Sequence, residues 1–156
     1  MPPEGRAADG EPLLRLDAFL PYQLSIASNA VSGAIARSYE SLFGLKVPEW
    51  RLIAVLAETD GLTQQQIVQR TEMDKMTVSR AAQALAGRGL VERAPDGRDR
   101  RSRMLTLSPA GRTLYGEIAP RALALEAELM TGFGAGEIAA LRAALARLKQ
   151  AAEALR

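Results

Sequence analysis

Apolar residues recur along the first third of the chain with the spacing of one helical face. They follow one another at intervals of three or four: Leu20, Leu24, Ala27, Val31 and Ile35. An α-helix brings residues at this spacing onto one stripe, so the pattern predicts a long amphipathic helix over about residues 13–43. Pro21 is predicted to lie near its first turn or to kink it, and Gly44 is a candidate left-handed cap at its end.

Two shorter helices are predicted to follow. Pro48 suits the first turn of a helix that ends by Gly61. Thr63 and Gln66 then stand at the spacing of a capping box, in which each side chain bonds the backbone N–H of the other residue. A short helix should therefore begin after Thr63 and extend to about Arg70.

A longer helix and a strand pair come next. Asp74 is a good N-cap for a helix that ends near Arg88, because a carboxylate accepts hydrogen bonds from the free N–H groups of the first turn. Short apolar runs at about residues 91–94 and 103–107 flank a polar turn, and this order predicts a β-hairpin.

The last third of the chain is predicted to be helical. Ser108 followed by Pro109 is typical of a helix start, and that helix should extend to about Thr131, with an interruption at Gly116 and a bend at Pro120. A last helix is predicted over about residues 137–155. It places apolar residues at intervals of four, three, four and three: Leu141, Leu145, Leu148, Ala152 and Leu155. This heptad spacing predicts a partner helix and so a dimer.

Charge is unevenly distributed along the chain. The length of 156 residues suits one domain or one domain with a dimerisation extension, and the net charge is only +2. Residues 88–103 alone hold six arginines against three acids, a local charge of +3. A basic stretch in a nearly neutral chain indicates a polyanionic partner at one place.

Several classes of function are excluded by composition. The chain contains no cysteine and no histidine, so disulfides, thiol redox sensing, Cys/His zinc sites and Ser-His or Cys-His nucleophiles are all ruled out. No catalytic pair emerges, and we predict neither an enzyme nor a cofactor nor a metal site. No apolar run reaches the length of a membrane span. Residues 1–12, rich in Pro, Gly and acids, are expected to form a disordered tail rather than a signal peptide, and the protein to be soluble and cytoplasmic.

The helix after Asp74 has a face suited to the major groove of DNA. Val78, Ala82 and Leu85 share one side, which should pack inward. The opposite side carries Lys75, Met76, Ser79, Arg80 and Gln83. Lys and Arg can donate to guanine, Gln can bridge adenine, and Met can touch a thymine methyl group. Thr77 is predicted to donate to phosphate, while Thr63 and Gln64 either meet phosphate or only cap their own helix.

The predicted hairpin tip is suited to the minor groove. Asp96 and Gly97 form a turn, and Arg98 and Arg101 flank Asp99, whose carboxylate can orient a guanidinium group. A narrow minor groove attracts an arginine at a loop tip. Arg103 adds to the same basic surface. The alternative, a merely soluble loop, does not require so many arginines beside so few acids.

These motifs together resemble those of the MarR family of bacterial winged helix-turn-helix regulators. The most specific pieces are Thr77-Val78-Ser79-Arg80 with Leu85, Gly89-Leu90-Val91, and Asp96-x-Arg98-Asp99-x-Arg101 followed by Leu105-Thr106. The resemblance extends from about Leu13 to Leu155. It implies a mainly α fold with a small β-hairpin wing, in which a winged helix-turn-helix core is flanked by N- and C-terminal dimerisation helices.

The resemblance also implies an assembly and residue roles. We expect a tail over 1–12, a dimerisation helix over 13–47, a DNA-binding domain over 48–108 and C-terminal dimerisation helices over 109–156. Arg101 would enter the minor groove, held by Asp99, and Arg98 would support it or contact phosphate. A two-fold dimer would bind a pseudo-palindromic operator with half-sites about one helical turn apart.

A small effector of the aromatic acid or acyl-CoA type is implied as well, because many members of the family are repressors released by an aromatic acid or a related metabolite. Candidate pocket residues are Tyr22, Ser25, Ser28, Asn29, Trp50 and Arg51. The plainer interpretation is that Trp50 belongs to the core and that Ser28 and Asn29 are interface polar groups. Two other functions stay open: DNA binding without a ligand, and a helical module whose basic hairpin meets an acidic protein.

Overall fold

The computed structural model describes residues 12–95, 97 and 103–156. They form six α-helices and a small antiparallel sheet, so the predicted mainly α class with a strand pair is confirmed. In chain order the elements are α1 (Leu20–Phe43), α2 (Val47–Glu58), β1 (Leu62–Thr63), α3 (Gln64–Thr71), α4 (Lys75–Gly87), β2 (Val91–Pro95), β3 (Arg103–Leu107), α5 (Pro109–Leu129) and α6 (Ala135–Glu153). Two compact units divide after Gly111.

Helix α1 begins later than the apolar pattern predicts. The pattern gave a start near residue 13, but residues 16–18 form a separate 3₁₀ turn and α1 starts at Leu20. Pro21 explains the difference, since a proline ring clashes with the carbonyl four residues earlier. That carbonyl belongs to Asp17 and instead accepts from Gln23 Nε2 at 2.8 Å. The end agrees with the prediction, because Gly44 caps α1 at φ +63°.

Side-chain caps set the starts of α3 and α4 as predicted. The hydroxyl of Thr63 accepts from the Gln66 N–H at 3.2 Å, and the Thr63 N–H donates to Gln66 Oε1 at 2.9 Å. Asp74 Oδ1 accepts from the Thr77 N–H at 2.8 Å. These bonds satisfy N–H groups that have no partner inside the helix.

The sheet has the strand order β1-β3-β2, and both pairings are antiparallel. Strand β2 pairs with β3 in the register Val91 to Leu107, and β1 pairs with β3 through Leu62 and Leu105. The hairpin strands agree with the prediction to within one residue. Strand β1 was not predicted, because two residues are too few to show an alternating pattern.

The core of the first unit lies between the helices α2, α3 and α4 and the sheet. Its fully buried side chains include Leu52, Ile53, Leu56, Ile67, Val78, Leu85 and Leu105. Each buried side chain of this size contributes about 1.5–3 kcal/mol. This packing fixes α4 against α2 and α3, with its other face toward solvent.

Helix α5 is continuous, which corrects the predicted interruption at Gly116. A glycine inside a helix costs only about 1 kcal/mol and does not end it. Pro120 also lies within α5. Helix α6 starts at Ala135, two residues earlier than predicted, where the Glu137 carboxylate accepts from the Gly134 N–H at 3.0 Å. No helix in the described ranges is both long and apolar enough to cross a lipid bilayer.

Candidate nucleic-acid interface

Helix α4 presents two chemically different faces, as its sequence predicts. Val78, Ala82 and Leu85 are fully buried. The opposite face exposes Lys75, Met76, Arg80 and Gln83, with Ser79 half-buried beside them. Met76 is 63% exposed, although a methionine usually gains stability from burial. This face therefore presents cationic hydrogen-bond donors, an amide group and an apolar side chain to a binding partner.

The first turn of α4 is closed by Asp74 and Thr77. Asp74 Oδ1 accepts from the Thr77 N–H at 2.8 Å, and Oδ2 accepts from the Thr77 hydroxyl at 2.7 Å. The N–H bond first, and then the hydroxyl bond, hold the pKa of the Asp74 carboxyl below its usual value. The Thr77 hydroxyl already has Asp74 Oδ2 as its acceptor, so a contact with phosphate would have to replace that bond, and it stays a prediction.

The start of α3 is occupied by its capping box. The backbone N–H and the side-chain hydroxyl of Thr63 both form hydrogen bonds with Gln66. Gln64 is half-buried at the first helical position. The capping interpretation of Thr63 is confirmed. Contact of Thr63 or Gln64 with DNA stays a prediction.

A cleft of about 280 Å³ lies between the start of α2 and the side of α4. Its lining consists of Lys46, Pro48, Glu49, Thr77, Arg80, Ala81 and Ala84. Glu49 is buried and its Oε1 accepts from the Lys46 N–H at 3.1 Å, which caps α2. Lys46 thus brings a second cation to the cleft beside Arg80. Sequence reasoning missed Lys46, because a lone lysine before a helix reads as an ordinary surface charge.

The base of the hairpin is tied to the ends of α4 and α5 by Ser108. Its buried hydroxyl donates to the carbonyl of Gly89 at 2.6 Å and accepts from the Gly111 N–H at 3.0 Å. Its N–H donates to the Leu90 carbonyl at 3.0 Å. The strands therefore leave a rigid base, with β2 starting directly after the loop that follows α4.

The last described pair of the hairpin joins Pro95 and Arg103. Arg103 is exposed. Arg98, Asp99 and Arg101 lie outside the described residues, so their groove contacts stay predictions. These predicted groove contacts are based on the arginines that the sequence places at the end of the strand pair.

The candidate ligand-pocket residues do not converge within the chain. Tyr22, Ser25, Ser28 and Asn29 are all exposed on the first half of α1, and Arg51 is exposed on α2. Trp50 packs instead on Tyr39, with ring centroids 5.1 Å apart. The helical rise places Tyr39 about 15 Å along α1 from Asn29. This aromatic packing of Trp50 agrees with the plainer interpretation, in which Trp50 belongs to the core.

The predicted heptad seam is solvent-exposed. Leu141 and Leu145 on α6 are 40% and 45% exposed, and Leu148 and Leu155 are exposed too. On α1, Leu20, Leu24 and Val31 are likewise exposed. Several large apolar side chains exposed on one helix in this way are typical of a site of protein association.

Comparisons with known proteins agree with this geometry. The sequence profile described as "MarR family" matches residues 43–102. The chain is 33% identical over 102 residues to the HTH-type transcriptional regulator TtmR of Methylorubrum extorquens (strain PA1). That match covers 64% of this chain and 52% of TtmR, so the chain spans about half the length of this curated relative.

Two solved structures are similar over most of their length. A probable transcriptional regulator from Pseudomonas aeruginosa is 32% identical, with 86% of this chain and 99% of that chain covered and a TM-score of 0.75. A MarR-family transcriptional regulator from Silicibacter pomeroyi is 30% identical, with 86% and 90% covered and a TM-score of 0.69.

Proposed function

The chain belongs to the MarR family of DNA-binding transcriptional regulators, and from that premise we propose that it is a homodimeric repressor in the cytoplasm. The observation that carries the proposal is the exposed face of α4, which precedes the hairpin directly. Members of this family are regulators rather than enzymes. We infer that the dimer binds a pseudo-palindromic operator, one half-site to each subunit.

We assign the major-groove contacts to α4. Lys75 and Arg80 would donate to guanine, and Gln83 would bridge an adenine. Met76 and Ser79 complete this face. Their exposure beside buried Val78 and Leu85 supports the assignment, because the helix has no use for these groups within its own core.

The hairpin would supply the second set of contacts. We propose that Arg101 enters the minor groove with Asp99 as its partner, and that Arg98 and Arg103 contact phosphate. Thr63 and Gln64 would lie near the backbone at the start of α3. Thr77 would contact phosphate only if its hydroxyl released Asp74 Oδ2.

The exposed apolar faces of α1 and α6 support the homodimer. Burying a leucine contributes about 1.5–3 kcal/mol, so a few such residues would hold two subunits together firmly. Leu141, Leu145 and Leu148 give α6 a face with coiled-coil spacing, and Leu155 follows two residues after the end of α6, which comes at Glu153 rather than at the predicted residue 155. A second copy of the chain has the same apolar face, so a two-fold contact would bury the faces of both subunits.

DNA binding can be tested with a duplex that the wild-type protein selects from a random library of about 30 base pairs, long enough for two half-sites. Fluorescence anisotropy should show tight, sequence-selective binding. Arg101→Ala should lower the affinity at least about tenfold and reduce the slope of log K against log salt by about one. Arg121→Ala, which removes the same charge from α5, is the matched control and should bind like wild type.

An unchanged affinity of Arg101→Ala would refute the minor-groove role. If the wild-type protein selects no sequence at all, regulator function fails. The helical protein-interaction module would then become the better account.

We further propose that an aromatic acid releases the repressor from DNA. BpsR of Bordetella bronchiseptica, a structural neighbour at 21% identity with a TM-score of 0.81, is regulated in its DNA binding by 6-hydroxynicotinic acid. Arg51 on α2, or Lys46 with Arg80 in the cleft, would give a carboxylate its cationic partner.

Thermal unfolding with and without 6-hydroxynicotinate and benzoate tests the effector, because a ligand of the native state raises the melting temperature. Arg51→Ala and Lys46→Ala separate the two locations, since only the variant at the true site should lose the shift. No shift with either acid would favour a ligand-independent regulator.

A further inference from the structure

Arg88 joins the end of α4 to the end of α1. Its Nη1 donates to the Gly44 carbonyl at 3.2 Å and its Nη2 to the Phe43 carbonyl at 3.3 Å. These carbonyls belong to the last turn of α1, where acceptors lack partners inside the helix. The planar guanidinium fork thus supplies two charge-assisted bonds across more than forty residues of sequence.

The charge of Arg88 is favourably placed for this link. Arg88 is itself the C-cap of α4, and its N–H donates to the Ala84 carbonyl at 3.2 Å. Its guanidinium group lies at the C-terminal end of α1, where the helix dipole is negative and favours a cation. By sequence Arg88 is one of the six arginines of the basic stretch, but the structure gives its guanidinium group acceptors within the chain.

We propose that Arg88 is a positioning residue for DNA recognition, which fixes the angle of α4 relative to α1 and thereby sets the half-site spacing that the dimer accepts. The inference rests on the proposed function, in which α1 contributes to the dimer interface. The position of each α4 relative to the two-fold axis is then transmitted through α1. Arg88 bonds α1 directly from the end of α4, in addition to the packing of both helices against α2.

A small change in the Arg88 bonds to α1 would move the N-terminal end of α4 by a large distance. Helix α4 has 13 residues, and its length is therefore about 20 Å. Lys75 and Met76 lie at the end opposite to Arg88. A tilt of about 10° around the Arg88 end moves them by about 3.4 Å, the rise of one base pair. A small loosening of the link should therefore relax the spacing between half-sites by about one base pair.

The test compares spacing preference in the full-length protein. Affinities are measured for the selected duplex and for versions with one base pair inserted or deleted between the half-sites. Wild type should lose about tenfold or more with either change, whereas Arg88→Ala should lose no more than about threefold. Arg88→Lys keeps the charge but not the fork, and should give an intermediate loss.

Arg70→Ala is the matched control. Arg70 also links helices, through Glu58 at 3.2 Å and the hydroxyl of Thr59, but both partners belong to the end of α2 rather than α1. Arg70→Ala removes the same charge and an exposed guanidinium link of the same kind. It should keep the spacing preference of wild type. If a general loss of stability in the DNA-binding lobe were enough to relax that preference, Arg70→Ala would relax it too.

The outcomes separate this inference from the proposed function. A wild-type protein that selects no duplex refutes the function and the inference together. Selective wild-type binding with equal spacing losses in wild type and Arg88→Ala overturns only the inference. A salt slope lower by about one in Arg88→Ala also overturns it, since Arg88 would then be a phosphate contact. If Arg88→Ala does not fold, Arg88→Lys decides by the same comparison, and a wild-type preference in that variant overturns the inference.

Discussion

Gly111 occupies a position with no room for a side chain. A Cβ atom on Gly111 would lie 2.1 Å from the Leu90 carbonyl oxygen and 3.2 Å from Leu107 Cδ2. A carbon normally comes no nearer to a carbonyl oxygen than about 3.3 Å. Gly111→Ala must therefore move one of the two backbone segments by about 1 Å.

Neither segment can move without loss. The Leu90 carbonyl accepts from the Ser108 N–H at 3.0 Å, and Leu90 directly precedes β2. The Gly111 N–H bonds the Ser108 hydroxyl in the first turn of α5. Overpacking of this kind costs about 1–3 kcal/mol, and a weakened helix cap adds about 1 kcal/mol. We expect Gly111→Ala to lower the free energy of unfolding by about 3 kcal/mol, a large part of a typical total.

Urea unfolding at one fixed protein concentration measures this loss, because the stability of a dimer depends on concentration. Gly116→Ala is the matched control in the same helix, where an added Cβ meets nothing within 4 Å. It should raise the stability by about 0.5–1 kcal/mol, since alanine is the better helix former. If both variants shift the midpoint in the same direction, the packing argument for Gly111 is refuted.

Three further predictions concern a buried cap, a titrating cap and the dimer. Ser108→Ala should lower the free energy of unfolding by about 1–2 kcal/mol in urea, because it leaves the Gly89 carbonyl and a helix N–H without their partner; an unchanged midpoint would contradict this. The charged form of Asp74 is favoured in the folded protein, so its stabilisation is complete above the unfolded pKa of about 3.9 and is lost as pH falls through the lower folded value. Acid unfolding of Asp74→Asn, whose amide caps without titrating, should therefore be less steep below about pH 4 than that of wild type, and equal curves would exclude the Asp74 cap as a source of acid sensitivity. Leu145→Asp should convert the dimer to a monomer in light scattering at unchanged helical content, since a charge would be buried in the seam, and a persistent dimer would show that α6 is not the interface.

Much of the local structure was predictable, because its causes are local. The capping box of Thr63 and the N-cap of Asp74 involve partners only three residues away, so the spacing in the sequence is the interaction itself. The buried side of α4 followed from helical period alone. Gly44 ended α1 because its left-handed conformation suits glycine.

Errors arose where a local rule was given too much or too little weight. Gly116 was predicted to interrupt α5, but its propensity cost is small beside the bonds of a long helix. The start of α1 was predicted near residue 13, although Pro21 lies in the first turn, as predicted, and its ring sets that start at Leu20.

The order of the helices and the hairpin, the caps and the exposed polar side of α4 were determined by the sequence alone, because each depends on residues within one or two helical turns. The tertiary structure decided which distant groups meet. It brought Arg88 to the end of α1, Lys46 to the side of α4, and Gly111 against Leu90. Such contacts join segments separated by 20 or more residues, and no spacing pattern along the chain encodes them, since they exist only after the core has fixed the helices in place.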